Sequence, residues 1–330
     1  MKTNTSSGHL SRLFCPFKIS DFDLVFSLID YRNSYFSSND QKKILEFYNS
    51  FKDKNQLITW MKERPKGTSE IFEIDGSKEI IVVIPTADFF GEFAIRCREE
   101  IFKGLHIIYV QSGGRDDYYF NYAHNCNRGI MKAIEYSPKW VVLSNDDMYK
   151  MDDVNILISE LSGLDDREVE VVFPTATEYH SYLARFGKSK VTRHMFFILL
   201  GRLRFIQVLL ERRFEVMEFV SMKNGIYDFF FENGRPLLMI GNFGIFSSKY
   251  INYLNCKLFD ENFINGGEDL DLSVRIMKEN RRFSHIKYKI GDYFGSTLGK
   301  NTPEGLKNLL GTIRRLRDVA NLSYFNCKNQ

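Results

Sequence analysis

Three short apolar runs constrain this chain more than any other feature. EIIVVIPT (79–86), LHIIYV (105–110) and WVVLSNDDM (140–148) are rich in β-branched residues and lack the alternation of a half-exposed strand. Runs of this kind are strands buried on both faces, as in a parallel sheet covered by helices. Between the second and third, YAHNCNRGIMKAIEYS reads as a loop leading into a helix. The order strand, helix, strand, helix, strand predicts an α/β fold with a mostly parallel sheet flanked by helices. Ligand groups in such sheets gather at the carboxyl ends of the strands. VEVVFPT (169–175) adds a further expected strand.

The 330 residues suffice for one large core or two modest domains. The reading divides them into an accessory prefix (1–78), a main domain (79–300) and a tail (301–330). In the tail, Leu306, Leu309, Leu310, Ile313, Leu316 and Val319 recur at three- and four-residue intervals and predict an amphipathic helix. From Tyr182 to Arg213, basic residues are interspersed with MFFILL and FIQVLL, an amphipathic helical pattern that packs on protein or meets a lipid interface. The net charge of only +3 does not nominate nucleic acid as a partner. Five scattered cysteines without a CxxC pair argue for a reducing compartment, here the cytoplasm, and no apolar run reaches the roughly 20 residues of a membrane-spanning helix.

Two acidic motifs carry the chemistry. The third strand ends in Asn145, Asp146 and Asp147. Carboxylates there can bind a hard divalent cation, and an amide can orient ribose or phosphate oxygens. Because successive strand side chains alternate, the two acids are expected to diverge, with Asp147 the better metal ligand and Asp146 or Asn145 the better ribose or sugar contact. Downstream, INGGEDLDLSVRI sets Gly266 and Gly267 before Glu268 and Asp269 and an apolar-periodic helix. Acids at a helix start are favoured by its unpaired amides, so capping alone accounts for them. Either Asp269 or Glu268 can also deprotonate a hydroxyl nucleophile while the other orients the acceptor. Further on, Asp292 is a candidate metal or diphosphate contact, Lys300 is by default a solvated lysine, and His285 reads as a packing or surface residue.

The ordered set EIIVVIPT, NCNRG, VVLSNDDM, GNFGIF and GGEDLDLSVRI resembles the family 2 glycosyltransferases and their relatives of the GT-A type, over about residues 79–300. The resemblance implies a GT-A-like, Rossmann-related sheet and a nucleotide-sugar donor lying across the strand ends. It also implies Mg²⁺ or Mn²⁺ held against the diphosphate by Asp147, with Asn145 at the first position of the metal motif and Asp146 near ribose or sugar. Pro85, Thr86 and Asp88 match the first nucleotide-binding loop, and Asn127 and Gly129 match an Asn-x-Gly element beside the donor. Asp269 matches the inverting general base and Glu268 its acceptor-orienting partner. GNFGIFSS is expected on the acceptor side, where Gly241 and Gly244 allow close approach and Phe243 or Phe246 stacks on a sugar or apolar carrier. The implied reaction is metal-dependent, inverting transfer to a hydroxyl of a glycan or lipid-linked glycan, with peripheral membrane association as one setting.

Two positions depart from the family pattern. Gln111, in Val110-Gln111-Ser112-Gly113-Gly114, stands where relatives carry an acid that contacts the base, and Asp292 stands where relatives often carry a histidine before a Gly-Ser turn. These departures keep a noncatalytic sugar-nucleotide or carbohydrate-binding protein as an alternative. A nucleotidyltransferase would need a basic triphosphate loop near the first strand, and PTADFFGE has no Lys or Arg.

Overall fold

The computed structural model describes residues 31–113, 117–174, 182–185, 202–216, 220–223, 226–228, 236–239, 243–293 and 304–329. Residues 31–37 are helical and precede α1 (Gln41–Asn49) and α2 (Lys54–Glu63). Next come β1 (Ser69–Ile74), β2 (Ser77–Thr86), α3 (Glu92–Arg96) running into a π-helical turn, β3 (Leu105–Ser112), α4 (Tyr122–Ile134), β4 (Trp140–Ser144) and β5 (Met148–Lys150). The chain continues through α5 (Val154–Ser162), β6 (Val171–Pro174), β7 (Tyr182–Arg185), α6 (Arg202–Arg213), β8 (Val220–Lys223), β9 (Ile226–Asp228) and β10 (Pro236–Met239). It closes with β11 (Phe243–Ser247), α7 (Ser248–Tyr253), α8 (Glu268–Lys278), β12 (Phe283–Ile286), β13 (Ile290–Asp292) and α9 (Glu304–Asn329).

The main sheet has the order β1-β3-β2-β4-β11-β6-β12. β2, β3, β4, β6 and β12 run one way, with β1 and β11 against them. Both faces of the central strands are buried, as their composition requires. Ile80, Val82 and Ile84 of β2 join an apolar layer with Ala94, Leu157 and Leu161, whereas Ile81 and Val83 join the opposite layer with Cys126, Ile130, Leu272 and Ile276. This period of two, with apolar neighbours on either side, makes the architecture a mixed α/β sheet between helical layers, Rossmann-like in general plan.

The division at residue 78 falls inside β2, and β1 pairs antiparallel with β3, so the prefix contributes an edge strand. Prefix and tail also share a core of their own. Phe47, Trp60 and Met61 from α1 and α2 pack with Leu270 and Val274 of α8 and with Ile313, Leu316, Val319 and Phe325 on and around the inner face of α9. Each such side chain contributes roughly 1.5–3 kcal/mol. Removing α9 would therefore cost an amount comparable to a domain's net stability of about 5–15 kcal/mol.

The basic interval 182–213 is not one helix. Tyr182–Arg185 is a strand paired with β10, and Arg202–Arg213 is a helix whose Leu210, with nearby Phe214, is buried in the core shared with α9. Protein packing thus accounts for the described helical part. Residues 186–201, including Phe196 to Leu200, lie outside the described residues, as do Gly241, Lys300 and the Gly295-Ser296 turn. No helix among the described residues is long and apolar enough to cross a membrane.

Candidate functional site

The parallel register builds the first half of the site. Val83 pairs with Leu143 across β2 and β4, and Thr86 pairs with Gln111 across β2 and β3. Three residues further on, just past the end of β4, Asp146 meets Thr86, whose Oγ1 donates to Asp146 Oδ2 at 2.7 Å. The same hydroxyl accepts from the Asp88 amide at 3.2 Å, and Asp88 Oδ1 accepts from the Phe90 amide at 2.9 Å, which shapes the first loop. Gln111 Oε1 accepts from the Phe89 amide at 2.7 Å and ties the second strand end to that loop. Pro85, Thr86, Asp88, Gln111, Asn145 and Asp146 therefore belong to one neighbourhood.

Asp147 leads into β5, which pairs with β13 so that Asp292 stands opposite Met148. The Tyr293 amide donates to Asp147 O at 3.0 Å. Asp147, just before β5, and Asp292, on β13, are separated by 144 intervening residues of sequence and are thus brought together by this strand pair. Burial pushes the Asp146 carboxyl up to about 6; the Thr86 bond opposes that rise and the charge of Asp147 adds to it. A bound cation would relieve both the desolvation and the repulsion, so this pair suits a divalent ion completed by phosphate oxygens and water. Among the described residues, no group of three or more His, Cys, Asp or Glu side chains is arranged to hold a metal by itself.

The second half of the site is the start of α8. Gly267 has φ +89°, a left-handed conformation that suits glycine, and turns the chain into the helix at Glu268. Glu268 is buried, and its Oε2 has no hydrogen-bond partner. Asp269 is half-buried, and its Oδ1 accepts from the Leu270 amide at 2.7 Å. Burial raises both carboxyls, and the charge of Asp269 raises Glu268 further, so Glu268 holds its proton more tightly. The positive charge of Arg314 on α9 opposes the rise in both. Asn321 fixes the preceding turn, accepting from the Ile264 amide at 2.8 Å and donating to Ile264 O at 2.9 Å.

Tyr122 joins the halves. Its hydroxyl donates to Asn145 Oδ1 at 2.7 Å, its amide donates to Asn265 Oδ1 at 2.9 Å, and burial, then the neighbouring Cys126 thiol and to a smaller extent Glu268 and Asp269, raise its pKa. Buried Arg64 donates to the carbonyls of Tyr118 and Phe120 and so holds the loop that delivers Tyr122. Sequence reasoning missed Tyr122, Arg64, Arg314 and Asn321. Only Asn121, a helix cap accepting from the His124 amide, left a local signal.

Other expected site residues have packing occupations. Asn127 accepts from the Phe259 amide and donates to Phe259 O and Glu261 Oε1, tying α4 to the segment before the acidic turn. Gly129 lies under the sheet, where an added Cβ would stand 2.4 Å from Val83 Cγ1 and 2.9 Å from Val110 Cγ2. Gly129→Ala is expected to lower stability by about 1–3 kcal/mol through overpacking. Denaturation without any ligand checks this, since a glycine that served only a donor would leave stability unchanged. Phe243 and Phe246 are 1% and 0% exposed on opposite faces of β11, one in each core layer. They offer no ring face to an acceptor, which corrects the stacking expectation, and Gly244 is a buried strand residue paired with Leu143. His285 is exposed on the edge strand β12. A small cavity lined by Glu79, Lys139, Trp140 and Asp166 lies at the opposite ends of β2 and β4.

No protein-family model and no curated protein matches the chain.

Proposed function

We propose that this chain is a GT-A-type, inverting, metal-dependent glycosyltransferase that moves a sugar from a nucleotide-sugar donor to a hydroxyl of a glycan or lipid-linked glycan. The observation that carries the reading is Tyr122, whose hydroxyl bonds Asn145 of the strand-end motif and whose amide bonds Asn265 in the turn that leads into Glu268 and Asp269. Two acidic motifs more than 120 residues apart, each explicable alone as a cap, thereby share one neighbourhood.

Asp147, with Asp292 on β13, would hold Mg²⁺ or Mn²⁺, which when bound supplies charge stabilisation for the departing nucleoside diphosphate, and Asp146 would meet the ribose or donor sugar. Thr86 orients Asp146, and Tyr122 orients Asn145, so the strand-end groups are fixed before a donor arrives. Asp269 takes the proton from the acceptor hydroxyl. The acceptor oxygen forms its bond to the anomeric carbon as the bond to the donor phosphate breaks, and the electron pair leaves with the diphosphate. Glu268, which holds its proton more tightly, donates a hydrogen bond and aligns the acceptor. A single displacement of this kind inverts the anomeric centre.

A nucleotide-sugar screen with and without Mg²⁺ or Mn²⁺, followed by product stereochemistry, tests the reading. The expected result is metal-dependent release of a nucleoside diphosphate with inversion. Pyrophosphate release, retention of configuration, or donor binding without turnover against a broad acceptor panel would defeat it. Sedimentation with anionic liposomes separates a lipid-linked acceptor from a soluble one.

A further inference from the structure

The helix α9 lies beyond the 79–300 span that carries the resemblance, yet one stripe of it closes on the acidic turn. Arg314, Asp318 and Asn321 stand at i, i+4 and i+7, which places them on one face of the helix. All three converge on Gly266, two residues before Glu268. A Cβ added at Gly266 would stand 3.1 Å from Arg314 Nη2, 3.3 Å from Asp318 Oδ1 and 3.4 Å from Asn321 Nδ2. The missing side chain is what lets the stripe lie against the turn. Asn321 holds that turn through the backbone of Ile264. Arg314 has a different occupation. Its Nε donates to Asp318 Oδ1 at 3.3 Å, its only hydrogen bond among the described residues, and its side chain is 53% exposed. An exposed pair of this kind adds little to stability, so anchoring α9 does not account for a guanidinium held at the turn.

The charges gathered at the turn show what it can do there. Glu268 and Asp269 begin α8, Asp318 faces them from α9, and Tyr122 faces them from α4. Arg314 attracts both Glu268 and Asp269, while Asp318 repels Asp269. Arg315 and Arg317 act on Asp318, and Arg317 is already committed to the carbonyls of Phe36 and Ser37. We propose that Arg314 is a positioning residue for the transfer reaction, its guanidinium keeping Asp269 in the ionised form that accepts a proton from the acceptor hydroxyl. This rests on the transferase reading above and gives the tail helix a part in the chemistry. A point charge acts through space and needs no direct ion pair with Asp269. The proton passes from the acceptor hydroxyl to Asp269, and Arg314 itself exchanges none.

The test compares full-length wild type, Arg314→Gln, Arg314→Lys and Arg315→Gln. Glutamine suits a helix and removes the charge, lysine restores it, and Arg315 is an exposed neighbour on another face of α9 that controls for net charge. Turnover is measured against pH with the nucleotide sugar and acceptor found in the screen above. In parallel, carbon-13 NMR follows the Asp269 carboxyl without substrate, its signal assigned by its loss in Asp269→Asn. Arg314→Gln should move the acid limb of turnover and the carboxyl titration upward together, by about one pH unit, with turnover recovering at alkaline pH. Arg314→Lys should return both, and Arg315→Gln should leave both in place. If Arg314→Gln moves neither, if the lysine variant behaves like the glutamine one, or if Arg315→Gln moves them equally, Arg314 is only a structural contact and the proposal is overturned. If the carboxyl titration moves as expected but the wild type transfers no sugar, the control of Asp269 by Arg314 stands and the transferase reading fails separately. Melting curves identify a variant that does not fold, and Arg314→Met, which keeps the stem of the side chain, then takes the place of Arg314→Gln under the same criteria.

Discussion

Asp269→Asn is expected to lower sugar transfer by about 10²–10⁴-fold while leaving the affinity for nucleoside diphosphate nearly unchanged. Asparagine keeps the shape of the side chain and the oxygen that accepts from the Leu270 amide, so the start of α8 is preserved. It removes the basicity needed to take a proton from the acceptor. Glu268 does not replace it, because burial and the neighbouring charge of Asp269 hold its proton more tightly. The pH profile supplies a second check. The base must be ionised, so turnover falls as pH drops, and burial of Asp269 moves that fall above the ordinary aspartate range. Steady-state rates and nucleotide titration on the same preparation separate the outcomes. Equal losses in turnover and nucleotide affinity would make Asp269 a donor contact, and full turnover would remove it from the chemistry.

The strand framework was legible because burial on both faces leaves an unmistakable composition. Ile80 to Ile84 and Ile107 to Val110 have no polar alternation, and no helix-start signal interrupts them. The acids at both halves of the site were legible for a related reason. A strand of apolar residues ending in Asn145, Asp146 and Asp147, and a helix beginning at Glu268, each mark a change of environment along the chain. Tyr122 was not legible, since nothing local records that a helix's first residue will reach Asn145 on the next strand. Phe243 and Phe246 misled because a glycine-aromatic alternation has the same sequence in a ligand loop as in β11, and only pairing to β4 and β6 on either side buries both rings. The packing of Gly129 was not legible either, since its missing side chain serves contact with Val83 and Val110 on other strands. How the accessory prefix packs was not legible, because β1 and α1 meet surfaces of the main sheet and α8 that lie far away in sequence.

Glu268→Gln is expected to change the pH dependence of stability in a defined direction. In the wild type, burial and the charge of Asp269 raise this carboxyl in the folded chain above its value in the unfolded chain. Between those two values the folded state binds a proton that the unfolded state has lost, so stability is full at acid pH and declines as pH rises through neutrality. A carboxyl raised from 4.5 to about 7 costs the fold about 3 kcal/mol once it is ionised. Glutamine has no charge to bury and lacks that dependence, although its amide nitrogen replaces Oε2, a buried atom without a hydrogen-bond partner, and is itself expected to cost about 1 kcal/mol. The wild type should therefore be the more stable protein near pH 4 and the variant the more stable one near pH 8, with the melting midpoints crossing in between. Asp146, Asp271 and Asp318 are raised as well, so the absolute slope belongs to several groups, whereas the difference between the two proteins reports the interacting Glu268 and Asp269 pair. Parallel curves across this range would mean that Glu268 titrates as an ordinary surface acid. That outcome would take away the proton it holds and, with it, the division of labour that leaves Asp269 as the base.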